Sequence, residues 1–226
     1  MENTLQIFKD RKDEINFFFS VMEKINNDTK NQYKIDNERF FKIMKSNFLL
    51  MLYNLIESSI INGILEIYDK LTEDKCSYKQ LIKEIQILWT DYKIAKIYGP
   101  TVAINTYKKC IKKTIDIVIE NNPMSFKEFD KNILDINGNL DAKKIKKLCD
   151  SHKIRYKLDR KGECLYQIKQ KRNALAHGDD SFSDCAKDFT INDLRIMKED
   201  VFIFLENILD GMKNYYDNSL YKRKCN

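Results

Sequence analysis

The sequence predicts a mainly α-helical bundle with a small strand–helix–strand insertion. Only two prolines and six glycines interrupt the 226 residues, so few positions break a helix. Apolar side chains recur at helical spacing through most of the chain. The apolar content of 43% is enough to bury a core, so we expect one folded domain over residues 1–226 rather than a disordered chain.

The first half of the chain predicts four helices. The first covers residues 3–26, where isoleucine, phenylalanine and methionine recur every three or four positions. The second begins after Asp36 or Asn37 and extends to about Leu71, and its middle is apolar almost all round, which predicts a central helix buried on several sides. Breaks that contain proline close the other two, at about 77–97 and 101–122.

The texture of the sequence changes over residues 124–162. Short β-compatible runs at 133–136 and 154–158 flank a turn and a basic helix at about 141–151. This pattern predicts a strand, a helix and a strand inserted into the bundle.

Two more helices complete the predicted bundle. One follows Gly162 and ends at Gly178, a residue type that suits a helix C-terminus. The other starts at Thr190, where the sequence resembles a capping box, and extends to about Tyr216. We expect the basic tail at 222–224 to fray.

The distribution of charge is compatible with a polyanionic partner. Forty Lys plus Arg against 34 Asp plus Glu give a formal net charge of +6. The basic excess is concentrated over residues 143–172. A solvated helix face is the commoner reason for such a run, so charge alone does not identify the partner.

Cysteine usage and hydropathy bound the location and the cofactors. The six cysteines are scattered without a C-x-x-C pair, which indicates reduced thiols and a cytoplasmic protein. Cys149 and His152 have a ligand-like spacing, but nothing nearby completes a zinc site, so we expect no metal and no other cofactor. The most apolar stretch, residues 48–61, contains polar side chains and is too short to cross a bilayer, so we expect no membrane association.

Residues 172–178, Arg-Asn-Ala-Leu-Ala-His-Gly, carry the strongest functional signal. They place an arginine and one of only two histidines near the end of one helix. An arginine that grips a phosphate and a histidine that moves a proton near pH 7 can together cleave RNA without a metal. The spacing alone also fits a structural role, in which Arg172 forms a salt bridge to a neighbouring helix and His177 interacts with the helix dipole.

The helical wheel places Arg172 inside the apolar stripe of its helix. A buried guanidinium needs a carboxylate, a water-filled cleft or an anionic ligand. On the predicted central helix, Asn54 and Glu57 stand three residues apart on an apolar side, and Glu57 is the better candidate to meet and orient Arg172. We expect four further residues to contact RNA: Lys169, Lys171, Tyr166 and Lys147.

The string at 172–178 resembles the R-x4-6-H motif of the HEPN superfamily of helical ribonucleases. Residues 52–58, 138–141 and 172–182 are similar to segments of a bacterial HEPN-like nuclease clade associated with defence loci. The resemblance extends over about residues 5–216. Some HEPN toxins carry a tyrosine two residues after the histidine, which a partner nucleotidyltransferase modifies, whereas Asp179 occupies that position here.

The resemblance implies a homodimer in which two motif helices line one composite cleft. It implies a metal-independent endoribonuclease whose ribose 2′-hydroxyl attack leaves a 2′,3′-cyclic phosphate. Arg172 would stabilise the charge on the scissile phosphate, His177 would act as general base or acid, and Asn173 would orient the phosphate or the imidazole.

We expect single-stranded RNA as the substrate, because the 2′-hydroxyl must swing in line with the leaving oxygen. The biological role would be that of a toxin or abortive-infection effector, held in check by an antitoxin or regulatory protein. Two other functions stay open: an inactive HEPN module that binds RNA, a nucleotide or a partner protein, and a purely structural dimerisation domain.

Overall fold

The computed structural model describes residues 1–27, 34–97, 104–127, 129 and 139–224. In this part of the chain the fold consists of seven α-helices: α1 (Glu2–Asn27), α2 (Lys34–Glu73), α3 (Lys83–Ile97), α4 (Ile104–Ile119), α5 (Ala142–His152), α6 (Cys164–His177) and α7 (Ile191–Asp217). The described residues contain no sheet, and their only β-type pairing consists of two isolated bridges. The prediction of a mainly α-helical fold is confirmed.

Helix α2 is the centre of the bundle, as its apolar middle predicts. It contacts α1, α6 and α7, and most of its side chains between Phe48 and Leu71 are buried. By length and composition α2 could cross a bilayer, but 56% of its most apolar window is buried inside the protein. Burial by neighbouring helices is the property of a core helix of a helical bundle.

The ends of the last three helices follow the local signals in the sequence. Asp141 caps α5 by accepting a hydrogen bond from the Lys144 backbone N–H at 3.0 Å. Thr190 and Asp193 form the predicted capping box at the start of α7. Gly178 ends α6 with φ at +79°, in the left-handed region that glycine adopts without steric cost.

Residues 77–82 correct the predicted boundary of α3. The sequence predicts one helix over 77–97, but a 3-10 turn at Tyr78–Gln80 ends at extended Leu81, and α3 begins at Lys83. The Gly99-Pro100 break lies outside the described residues.

The C-terminal tail explains this interruption, and it is not frayed as predicted. The Arg223 backbone N–H donates to the Gln80 carbonyl at 2.8 Å, and the Arg223 Nε donates to the Leu81 carbonyl at 2.9 Å. Lys222 pairs with Asp74 at 2.6 Å. Because these carbonyls bond the tail, they are not available to a continuous helix.

The strand predicted at 154–158 is irregular in the structure. Its predicted partner at 133–136 lies outside the described residues, and nothing in the described part pairs with 154–158. The segment lies against α7 instead, where a β-carbon on Gly211 would come within 2.6 Å of the Arg155 carbonyl oxygen. Ile154 is buried and Arg155 is exposed, and this alternation therefore reflects packing against a helix rather than hydrogen bonding to a neighbouring strand.

Candidate active site

The motif lies on the C-terminal half of α6, which emerges from the core. Leu165 and Ile168 in the first half are buried, residues 171–175 are half-buried, and residues 176–179 are exposed. The helix ends where the Asp179 backbone N–H donates to the Ala174 carbonyl at 2.9 Å. Helix α6 thus presents the end of the motif to solvent while its start is fixed in the bundle.

Helix α2 also holds the loop that follows the motif. Ser46 Oγ donates to the Phe182 carbonyl at 2.7 Å, and Lys45 Nζ donates to the Phe189 carbonyl at 2.6 Å. Burial lowers the pKa of Lys45. These bonds tie the loop to the central helix and so fix where α6 ends.

Arg172 meets an aromatic ring of the central helix. Its guanidinium carbon lies 5.1 Å from the centroid of the Tyr53 ring, and its Nη1 donates to Asn173 Oδ1 at 3.1 Å. Tyr53 is fully buried, whereas Arg172 is half-buried. The wheel correctly places Arg172 on the side that faces α2, and a cation–π contact is part of what accommodates its charge there.

Glu57 stands one turn after Tyr53 on α2. Burial raises the pKa of Tyr53, the charge of Glu57 adds to that rise, and the charge of Arg172 opposes it. Both charged groups therefore act on the Tyr53 hydroxyl. A direct Glu57–Arg172 pair stays a prediction.

Asn54 is exposed, so the prediction that it stands on a buried side of α2 is wrong. Tyr53 faces α6, and Asn54 follows it about 100° further round the helix, toward α1. Arg11 Nη1 donates to the Asn54 carbonyl at 3.3 Å. Asn54 and Glu57 line an open groove of about 490 Å³ that also includes Arg11 and Glu14 of α1.

Residues 139–141, which we call the clamp segment, fasten the chain before α5 onto this surface. Asn173 Nδ2 donates to Asn139 Oδ1 at 3.1 Å, and the Leu140 backbone N–H donates to the Tyr53 hydroxyl at 3.1 Å. Lys169 Nζ pairs with Asp141 at 2.5 Å. Three consecutive residues thus each make one contact with α6 or α2.

The ion pair at the end of the clamp segment is largely shielded from solvent. The side chains of Lys169 and Asp141 are only 15% and 14% exposed. Burial would raise the pKa of Asp141, but hydrogen bonds from the Lys169 side chain and the Lys144 backbone lower it overall. Lys169 is therefore engaged within the chain, which reduces its capacity to contact RNA.

The other residues predicted to bind RNA differ in their accessibility. Tyr166 is 54% exposed, and its hydroxyl accepts a bond from Gln170 Nε2 at 2.6 Å. Lys171 pairs loosely with Asp180 at 3.7 Å. Lys147 is exposed on α5. Of the four, Tyr166 and Lys147 are the most accessible to a polyanion.

His177 is the last residue of α6 and is exposed. It lies one helical turn after Asn173, on the same face. In the described part of the chain we find no hydrogen bond to its ring. The site within one chain thus offers a held arginine and asparagine beside a solvent-accessible imidazole.

Comparison with known families agrees with this geometry. The profile of the MAE_28990-like HEPN family matches residues 1–221. The chain belongs to this HEPN family. No curated protein and no solved structure matches it. Membership of the HEPN superfamily indicates a nuclease-like or RNA-related role.

The second histidine of this HEPN protein is an internal hydrogen-bonded group. His152 is fully buried at the end of α5, where Nδ1 donates to the Leu148 carbonyl at 2.8 Å and Nε2 accepts from the Tyr68 hydroxyl at 2.6 Å. Burial lowers its pKa to about 4. Because both ring nitrogens are engaged, the ligand-like spacing with Cys149 reflects packing on one helix face.

The sequence interpretation missed Tyr53 and the clamp segment as parts of the site. A signal for both was present, since residues 52–58 and 138–141 are two of the segments that resemble HEPN-like nucleases. The structure brings those two segments together with α6. Their similarity is thus concentrated around Arg172.

Proposed function

We propose that this HEPN protein is a metal-independent endoribonuclease that cleaves single-stranded RNA. The observation that carries the proposal is the placement of Arg172 and His177 on one helix, with the arginine held and the histidine exposed. The ribose 2′-hydroxyl gives up its proton and bonds to phosphorus. The bond from phosphorus to the 5′ oxygen breaks, and that oxygen gains a proton, which leaves a 2′,3′-cyclic phosphate.

Arg172 suits the stabilisation of the phosphate. Its guanidinium carbon lies 5.1 Å from the centroid of the Tyr53 ring, a contact that accepts none of its N–H groups, and a planar guanidinium can direct N–H groups at a phosphate. Fixed positive charge at this point would stabilise the charge that develops on the phosphate oxygens. Asn173, bonded to both Arg172 and Asn139, would hold the orientation.

His177 would transfer a proton as general base or general acid. An imidazole can do so near neutral pH, and exposure at the helix end lets RNA reach it. One histidine cannot be base and acid in the same step. A homodimer with two motif helices in one cleft would supply both, and the exposed end of α6 at residues 176–179 is the surface that such a dimer would use.

In the cell, we place this activity in the cytoplasm as a toxin or abortive-infection effector. Uncontrolled cleavage of RNA would harm the host, so the proposal includes an antitoxin or regulatory protein. Expression of the wild type and of His177→Ala in a bacterial host, followed by mapping of RNA ends, tests this role. Equal growth of both strains would refute it.

The chemistry is tested with purified protein and a short single-stranded RNA in the presence of EDTA. Arg172→Ala and His177→Ala should each lower the cleavage rate at least about a hundredfold, because each removes a group that acts in the transition state. Arg195→Ala is the matched control, since Arg195 of α7 pairs with Glu23 of α1 at 2.7 Å and is not part of the motif. Unchanged cleavage by both α6 variants, or loss of wild-type cleavage in EDTA, would refute the mechanism.

The dimer is tested by mixing the two inactive variants. In a mixed dimer one chain keeps His177 and the other keeps Arg172, so a composite cleft regains one arginine and one histidine, and that histidine can transfer one of the two protons while water transfers the other. We expect partial activity on mixing and a dimer mass in light scattering. A monomer mass at the assay concentration would contradict the composite cleft.

One observation favours a second function, that of a binding module without turnover. Within the described residues no hydrogen bond orients the His177 ring, whereas a catalytic imidazole needs a defined orientation. Arg172 would then serve to bind the phosphate of RNA or a nucleotide. Tight binding that weakens steeply with salt, with no cleavage products at excess protein, would identify this alternative.

A further inference from the structure

Tyr53 is a buried aromatic residue whose ring lies against the one arginine of the motif. Its side chain is fully buried in α2, and its ring centroid lies 5.1 Å from the guanidinium carbon of Arg172. Tyr53 is therefore in position to determine where Arg172 points.

An aromatic ring differs from a carboxylate in what it leaves available on an arginine. A carboxylate occupies the N–H groups at the guanidinium edge and neutralises its charge, so it competes with a phosphate. A ring attracts the cation through the face of the ring, so it neither neutralises the charge of the arginine nor accepts its N–H groups. An arginine that must bind a phosphate is thus better held by a ring.

The ring of Tyr53 is itself fixed from the opposite end. Its hydroxyl accepts the Leu140 backbone N–H at 3.1 Å, and Asn139 in the same clamp segment accepts from Asn173 at 3.1 Å. Asn173 in turn accepts from Arg172. The contacts form a closed circuit of Arg172, Tyr53, the clamp segment and Asn173.

We propose that Tyr53 is a positioning residue that aims Arg172 at the scissile phosphate through the face of its ring, while the clamp segment fixes that ring. The inference rests on the proposed ribonuclease function. Tyr53 does not touch RNA in this arrangement, and its effect passes through Arg172.

The test uses two substitutions that separate the ring from the hydroxyl. Tyr53→Leu removes the ring and should lower kcat about tenfold with KM changed less than about twofold, because a misplaced arginine loses contacts chiefly in the transition state. Tyr53→Phe keeps the ring and should retain kcat within about threefold of the wild type. An equal loss of kcat in both variants would show that the ring face is not what matters.

A double-mutant cycle distinguishes positioning from general damage to the fold. If Tyr53 acts through Arg172, then Tyr53→Leu should cause no further loss in an Arg172→Ala background. Tyr215→Leu is the matched control, since Tyr215 is equally buried but lies on α7, and its effect should be the same in both backgrounds. Additive losses from Tyr53→Leu and Arg172→Ala would overturn the inference.

The outcomes separate this inference from the proposed function. RNA left uncut by the wild type refutes the ribonuclease activity, and the same cycle measured on RNA binding then tests Tyr53. Cleavage that requires Arg172 but is as fast in Tyr53→Leu as in the wild type refutes only the positioning role.

Discussion

The buried His152 makes a quantitative prediction about stability and pH. Burial holds its pKa at about 4, well below the ordinary value of 6.5, while the Leu148 carbonyl favours the charged form to a lesser extent. In the unfolded chain the imidazole returns to an ordinary pKa. The unfolded state therefore binds a proton as the pH falls below 6.5, whereas the folded state resists protonation until the pH nears 4.

The direction and size of the change in stability follow from the difference in proton binding between the folded and unfolded states. A group that takes up more protons in the unfolded state lowers the free energy of unfolding as the pH falls. The difference between the unfolded and folded pKa values of His152, 6.5 and about 4, corresponds to a total loss of about 3 kcal/mol. At pH 5 about 2 kcal/mol of this should already be lost relative to pH 7.5. Carboxylates with lowered pKa values, such as Asp141 and Asp74, lose their contribution only as the pH falls through about 4, so they leave this window clear.

Urea unfolding followed by circular dichroism at pH 7.5 and pH 5 measures the effect. His152→Gln should have a lower free energy of unfolding than the wild type at pH 7.5. In this variant the change in that free energy between pH 7.5 and pH 5 should almost disappear, because glutamine does not titrate. His177→Ala is the matched control: it removes the only other histidine, an exposed one, and should keep the wild-type difference. An unchanged pH difference in His152→Gln would refute the reasoning.

Two further predictions concern the packing around α7 and the clamp segment. Gly211→Ala should lower the free energy of unfolding by about 1–3 kcal/mol, because its β-carbon would lie 2.6 Å from a backbone carbonyl oxygen. Gly178→Ala should lower it by about 1 kcal/mol, because its β-carbon meets nothing within 4 Å but the backbone has a positive φ. The reverse order of the two losses in thermal unfolding would contradict this. Asp141→Asn and Asp141→Ala both remove the carboxylate that pairs with Lys169, but only Asn keeps an oxygen that can cap α5, so Asp141→Asn should cost less stability. Equal losses would show that the cap contributes nothing.

The sequence predicts best those helix ends that depend on adjacent residues. The cap at Asp141, the capping box at Thr190 and the glycine at 178 act within one turn, and all three ends were predicted correctly. The interruption before α3 depends instead on Arg223, which is more than 140 positions away from Gln80. A local pattern contains no information about such a contact.

The same distinction applies to the site. Helical periodicity correctly places Arg172 toward the core, because that inference needs only the residues of α6. It leaves a carboxylate, a water-filled cleft and an anionic ligand open for Arg172 and does not predict the contact with Tyr53, since a wheel counts tyrosine among the apolar core residues and does not show that its ring can hold a cation. The resemblance marks residues 138–141, but periodicity does not bring the clamp segment to the site, because its contacts join residues from three separate parts of the chain.

The two histidines show how far local chemistry determines function in this chain. Each ends a helix, and each is followed by a residue with positive φ, Lys153 or Gly178. Their environments differ because of what precedes them on the same helix face. Ile145 and Cys149 carry His152 into the core, whereas Gln170 and Asn173 carry His177 to the surface. Burial removes the charged form of His152 near neutral pH, so the face of the helix, and not the helix end, leaves His177 as the histidine for the proposed proton transfer.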